Sequence, residues 1–140
     1  MITTVTMNPS IDYRFKVDII DIGKVNRISL LKKEAAGKGI NVAKYLNKWG
    51  QSVKALSCLG EINGKYIVDQ LNEKKIKNEV KWLRKKETRI NFKLTDNKGQ
   101  ETKLNQEGAH ISSNILEDVK KRIIQLSKEN KIIIDILKVM

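Results

Sequence analysis

The 140-residue sequence holds a single cysteine, Cys58, so no internal disulfide can form, and this usage fits a reducing, cytoplasmic setting. No histidine lies near Cys58 in sequence, which points to a buried thiol rather than an activated nucleophile. Long apolar runs are missing. None approaches the roughly 20 residues that a bilayer span requires, and the N-terminus lacks the basic-then-apolar profile of a signal peptide, so no membrane partner is expected. Aromatic residues make up 5%, with none read as part of an alternating stacking platform for nucleic acid. Acidic residues number 16 against 28 basic ones, a net charge of +12. Lysines that neutralise phosphates could serve nucleic acid. Here, however, lysine dominates arginine and is scattered over predicted helix faces, as on a solvated surface that favours small anions. Nucleic acid is therefore not the expected partner. Repeats, low-complexity tracts and linkers are absent too, and one unit over residues 1–140 is expected.

What is present alternates between strand and helix patterns. The opening MITTVTM is β-branched, apolar and uncharged, which predicts a buried strand, and NPS ends it because proline cannot donate to a ladder. Tyr13, Phe15 and Val17 then alternate with Arg14 and Lys16 as in a half-exposed strand, with a partner expected over 27–33 after a turn at 21–23. Val42, Leu46 and Trp49, with Ala43 beside them, predict a helix over about 40–49, closed by Gly50. SVKALSCLG reads as a short apolar strand, followed by a helix on Ile67, Val68 and Leu71, and this rhythm predicts parallel β/α units. Over 88–105, Ile90, Phe92 and Leu94 alternate with Arg89, Asn91 and Lys93 before a turn at 96–99, the pattern of an exposed hairpin. Residues 112–114 offer N-cap side chains, with Asn114 and Glu117 at capping-box spacing. The stripe Ile115, Val119, Ile123 and Leu126 follows, and KIIIDI reads as a last buried strand. The expected organisation is an α/β layer with two exposed hairpins folded out of it.

Chemistry concentrates in three places. AAGKGINVAKYLNKWG, residues 35–50, sets Gly37, Lys38 and Gly39 at a helix start, where free N–H groups collect anions and glycines let a ligand come close. Asn41, in the first turn, can hydrogen-bond a sugar hydroxyl as donor and acceptor. The spacing is not that of a P-loop, so nucleotide phosphate is not implied, and a glycine turn that merely starts a helix would look the same. NPSID places Asp12 just past the first strand, at the mouth where open parallel sheets bind ligands. There it either accepts from paired hydroxyls or stabilises a turn. TRIN puts Arg89 and Asn91 on one face of a strand, with the arginine fork suited to a terminal phosphate or simply solvated.

The segments TVTMNPSIDY, GKVNR, AAGKGINVAKYLNKWG, ALSCLGEINGKYI and ETRINFKLTDNKGQETKLNQEG together resemble the PfkB (ribokinase-like) carbohydrate kinases. Their order and spacing match that family from residue 1 to about 131. Within it the resemblance is strongest to the bacterial 1-phosphofructokinase branch, and the tagatose-6-phosphate kinases share most of the pattern. It implies a three-layer α/β/α domain with a parallel sheet and a small β-sheet lid, formed here by strands over about 13–33 and 88–105. It also implies a sugar phosphate, fructose 1-phosphate, held between lid and sheet, with ATP as phosphoryl donor and Mg²⁺ present. By position, Asp12 and Asn41 would bind sugar hydroxyls, with Gly37 and Gly39 beside them. Lys38 and Arg89, with Asn91 on the same strand face, would hold the existing phosphate; Lys103 is a further candidate. Lys24 on the lid would approach the transferred group, and the lid would support a homodimer.

The resemblance also implies parts that are not in the sequence. Relatives continue after the strand near Ile132 with a Gly-Ser-x-x-Pro segment and a second half that carries the ATP site and a Gly-Ala-Gly-Asp motif with the catalytic base. Residues 135–140 match nothing in that pattern. A truncated chain is therefore expected, with no catalytic residue or metal ligand of its own, inactive alone, and with Ile132, Ile133 and Ile134 on an apolar sheet edge.

Overall fold

The computed structural model describes residues 1–135, with side chains described through Ile132; the reading of 136–140 lies outside the described residues. In chain order the elements are β1 (Ile2–Thr6), β2 (Ser10–Lys16), β3 (Ser29–Ala36), α1 (Lys38–Lys48), β4 (Val53–Gly60) and α2 (Lys65–Glu73). After them come β5 (Lys77–Leu83), β6 (Arg89–Thr95), β7 (Glu101–Asn105), α3 (Ser113–Ser127) and β8 (Lys131–Asp135).

The first sheet has the order β5-β4-β1-β8 and is parallel throughout. Its centre is built from the least charged stretches, because a parallel strand covered on both faces tolerates few polar side chains. On one face, Ile40 and Ala43 of α1 and Ile67 and Leu71 of α2 pack with Val53, Ala55 and Leu59 of β4. On the other, Val119 and Leu126 of α3 pack with Val5, Leu56 and Cys58. These layers are the expected α/β/α arrangement. Each buried aliphatic contributes roughly 1.5–3 kcal/mol relative to exposure, and Ile40, Leu59 and Ile67 are all at 0% exposure. Gly50 closes α1 with φ 74, its N–H donating to the Asn47 carbonyl at 3.0 Å. β8 pairs with β1 and forms one edge of this sheet among the described residues, the position expected for that strand.

Burial sends the Cys58 thiol up to about 11, so it stays protonated at neutral pH beside Met7, whose sulfur is 3.9 Å away. No helix of the described residues is long and apolar enough to cross a membrane.

One element is added to the expected ones and one local expectation is corrected. Residues 77–83 form β5, which the sequence pattern does not announce: Lys77 and Lys81 interrupt it, and it is a strand because β4 supplies its ladder. α3 is capped by Ser112, whose Oγ accepts from the Ile115 N–H at 3.4 Å, and not by Asn114. Glu117 turns outward to Lys120 at 2.9 Å instead of closing a capping box.

The two exposed hairpins do not stand apart. They join in a second four-stranded sheet, β3-β2-β6-β7, through a parallel pairing of β2 with β6. Strand alternation divides it into two faces. One carries Asp12, Arg14, Lys32, Glu34, Asn91, Lys93 and Lys103. The other carries Tyr13, Phe15 and Phe92, whose ring centroids lie 5.8–5.9 Å apart. The few aromatics therefore do gather, contrary to the reading from sequence, because cross-strand pairing brings Phe92 beside residues that are remote from it in the chain.

Candidate functional site

The start of α1 sits against the carboxyl edge of the parallel sheet. Gly37 is its N-cap with φ 132, a conformation open only to glycine, and no side chain caps the first turn. A Cβ on Gly37 would lie 2.8 Å from Thr6 Cγ2 and 3.2 Å from Pro9 Cα; one on Gly39 would lie 2.8 Å from the Val5 carbonyl oxygen. Both glycines thus face β1 and the NPS turn. Their smallness is required by helix-on-strand packing. Lys38, between them, is exposed.

Asp12 is the hub of the site. It is half-buried on β2, accepting from Ser10 Oγ at 2.7 Å and from Asn91 Nδ2 at 3.2 Å. The second contact follows from the β2–β6 register, in which Asp12 stands opposite Asn91 and Ser10 opposite Arg89. An open cleft of about 590 Å³ between this sheet and α1 is lined by Asp12, Glu34, Ala36, Asn41 and Lys44 among others. A second, of about 250 Å³, is lined by Asp12, Asn91, Lys93, Lys103 and Asn105. Asp12 borders both.

Arg89 is positioned by a small network at the end of β4. Gly60 N–H donates to Thr88 Oγ1 at 2.9 Å, Thr88 N–H to Asn63 Oδ1 at 2.7 Å, and Asn63 Nδ2 to the Thr88 carbonyl at 2.9 Å. This anchors the chain immediately before Arg89, which shares a crevice with Asn8, Pro9 and Gly60. Two buried polar atoms here, Arg89 Nε and Asn91 Oδ1, have no hydrogen-bond partner. An unsatisfied buried group costs about 1–3 kcal/mol, a cost that a polar ligand would relieve.

The residues singled out in the sequence are thus partly brought together. Asp12, Asn41, Asn91 and Lys103 line the two clefts, Arg89 lies beside them, and Lys38 and Lys24 line neither. Lys24 belongs to the turn at the far end of the β2–β3 hairpin, held by Asn26, which accepts from Asp21 N–H at 2.7 Å and donates to the Lys24 carbonyl at 3.0 Å. Sequence reasoning missed Glu34, Lys44, Tyr45 and Lys48 on the larger cleft. A signal was there: Asn41, Lys44 and Lys48 recur at i, i+3 and i+7 and so share a polar face of the helix. Among the described residues, no group of three His, Cys, Asp or Glu is placed to hold a metal ion.

The chain is 35% identical over 132 residues to a tagatose-6-phosphate kinase of Staphylococcus epidermidis, covering 94% of this chain and 42% of that one. It is 41% identical over 112 residues to a 1-phosphofructokinase of Bacillus subtilis, covering 80% of this chain and 36% of that one. It therefore spans about two fifths of the length of these curated relatives. A phosphofructokinase-type crystal structure from Staphylococcus aureus superposes with a TM-score of 0.85 at 39% identity, over 96% of this chain and 43% of that one. Escherichia coli phosphofructokinase-2 in complex with fructose-6-phosphate shares the fold, with a TM-score of 0.87 at 21% identity, over 96% and 44% of the two chains. The second sheet is accordingly the small lid sheet of a ribokinase-like fold. Matched over residues 5–134 by the pfkB family carbohydrate kinase model, the chain belongs to that family.

Proposed function

We propose that the cleft between the second sheet and α1 holds the acceptor of a sugar-phosphate kinase reaction. The preferred acceptor is fructose 1-phosphate, which a 1-phosphofructokinase converts with ATP to fructose 1,6-bisphosphate and ADP. The observation that carries this reading is the meeting of Asp12 and Asn91 from separate strands, at 3.2 Å, on a cleft that Asn41 lines. A carboxylate that only accepts, beside amides that accept and donate, suits paired sugar hydroxyls. In this reading Asp12 and Asn41 bind hydroxyls and Asn91 orients Asp12. Arg89 and Lys38 hold the substrate's own phosphate, Gly37 and Gly39 set the helix start beside it, Lys103 is a further phosphate contact, and Lys24 reaches the transferred group if the lid closes.

ATP supplies the phosphoryl group and Mg²⁺ neutralises its charge; the described residues offer no ligand cluster for that ion, and no step is assigned to it. The 140-residue polypeptide by itself is proposed to bind and not to phosphorylate. Both carboxylates of the larger cleft are engaged: Asp12 by Ser10 and Asn91, and Glu34 by Arg14, Lys32 and Lys44. In this reading neither serves as the general base, and absence of a general base costs roughly 10²–10⁴ in rate. Tagatose 6-phosphate is the second reading, supported by the relative matched over 94% of the chain.

Calorimetric titration with the two sugar phosphates tests both. Saturable binding, tighter for fructose 1-phosphate and lost in Asp12→Ala, is expected, with no ADP release on adding ATP and Mg²⁺. Turnover at ordinary kinase rates would overturn the binding-only reading, and binding unaffected by Asp12→Ala would overturn the site. The apolar face of the lid sheet, where Leu30 and Leu104 are 56% and 55% exposed, is proposed to join two copies of the chain. Sedimentation equilibrium should show a dimer that Leu104→Lys shifts to monomer.

A further inference from the structure

Among the described residues, Asp69, Asp118, Glu101 and Glu117 each pair with one cation, and Glu79 pairs with two, Lys54 and Arg122. The larger cleft goes further, with three cations on one carboxylate. Arg14, Lys32 and Lys44 converge on the single carboxylate of Glu34, at 3.6, 3.3 and 3.9 Å. Lys48 and Lys74 line the same cleft without a carboxylate partner among the described residues. Asp12 is the other acid on the wall, and its Oδ1 accepts from Ser10 and Asn91. Five cations against two carboxylates leave three positive charges in excess around one cavity.

These cations come from β2, β3, α1 and the residue that ends α2, so the cluster is a product of tertiary structure and not of a basic run. It corrects the expectation that the lysines are merely scattered. Two contacts hold the parts in place. The Asn47 amide donates to the Lys74 carbonyl at 3.0 Å, fastening the end of α2 to α1, and Lys44 donates to the Ala35 carbonyl, fastening α1 to β3. Lys44 is the least exposed of the cations around Glu34, with 19% of its side chain accessible. Burial pushes its ammonium below the ordinary lysine range; Glu34 opposes that shift, while Lys74 and Lys32 add to it. Packing like charges this closely is unfavourable unless an anion joins them.

We propose that this end of the cleft, formed by Arg14, Lys32, Lys44, Lys48 and Lys74, is a binding site for a compact polyanion carrying at least two negative charges. Lysines supply unoriented point charges and the cleft is open, so the site selects on charge density more than on shape. The site shares its cleft with the proposed acceptor, whose Asp12 and Asn41 line the same walls, but uses none of Lys38, Arg89 and Asn91.

The test is a titration of the isotope-labelled 140-residue chain with sodium pyrophosphate, and separately with citrate, at constant ionic strength, followed through backbone amide shifts. Saturable shifts centred on Lys32, Lys44, Lys48 and Lys74 are expected with at least one probe. Comparing the two distinguishes a phosphate ligand from a carboxylate one. Lys44→Met should weaken binding about tenfold and the exposed Lys74→Gln about threefold, whereas Lys120→Gln on the far layer should leave it unchanged. Lys74→Gln keeps the test valid if Lys44→Met fails to fold. Non-saturating shifts over the whole basic surface, shifts confined to residues 37–41 and 89–91, or binding insensitive to Lys74→Gln would each overturn the proposal. Failure of fructose 1-phosphate to bind while pyrophosphate still does would count against the acceptor reading alone.

Discussion

Gly60→Ala is expected to destabilise the chain by about 3–5 kcal/mol, from overpacking and lost buried hydrogen bonds together. Gly60 ends β4, and residues 86–88 cross directly over it. A Cβ there would come 2.6 Å from the Lys86 carbonyl oxygen and closer still to backbone atoms of Glu87 and Thr88. Backbone cannot rotate aside as a side chain can, so the crossing segment must lift. Lifting it stretches the Gly60 N–H to Thr88 bond and the paired bonds between Thr88 and Asn63. Against a typical native margin of about 5–15 kcal/mol, such a loss leaves little folded protein at elevated temperature. Gly99→Ala is the control. Its φ is +80 with nothing within 4 Å of a new Cβ, so only backbone strain of about 1 kcal/mol is expected. Urea denaturation of the two variants is the measurement. Similar midpoints for both would show that the 86–88 crossing yields easily, contrary to this account.

Arg89→Met should weaken fructose 1-phosphate binding by roughly 10–100-fold, the equivalent of one charge-assisted hydrogen-bonding group at about 1.5–3 kcal/mol. Methionine keeps most of the apolar stem and removes the guanidinium. Arg89 Nε is buried without a partner, so its loss breaks no protein hydrogen bond at that atom, and stability should change little. Arg89→Lys should recover part of the affinity, because charge returns without the fork. Calorimetric affinity measured beside the urea midpoint separates the two effects. A change below threefold, with the fold intact, would mean that the substrate phosphate lies elsewhere.

The legibility of this site in the sequence was uneven, for physical reasons. Asp12 could be placed at the sheet mouth because a β-branched strand followed by proline marks where the chain leaves the layer. Asn41 could be placed on α1 because an apolar stripe at helical spacing fixes which residues face outward. The contact of Asn91 with Asp12 could not be read, since the two lie 79 positions apart and their meeting depends on β2 and β6 pairing in parallel. Lys44 was overlooked for a related reason. A lysine on a helix reads as solvated until β3 closes over it and Glu34 arrives beside it.

By itself the sequence determined the parallel layer, the ends of α1, the division of both hairpins into polar and apolar faces, and membership of the pfkB family. Those features rest on local periodicity, turn chemistry and ordered motifs, all of which are written along the chain. Only the tertiary structure decided that two hairpins become one sheet, that Gly39 and Gly60 are small for packing, and that five cations surround one cleft. Each of these depends on which distant backbones come into register. Periodicity says which face of a strand is apolar, but the strand that will lie beside it is chosen by the packing of the whole layer.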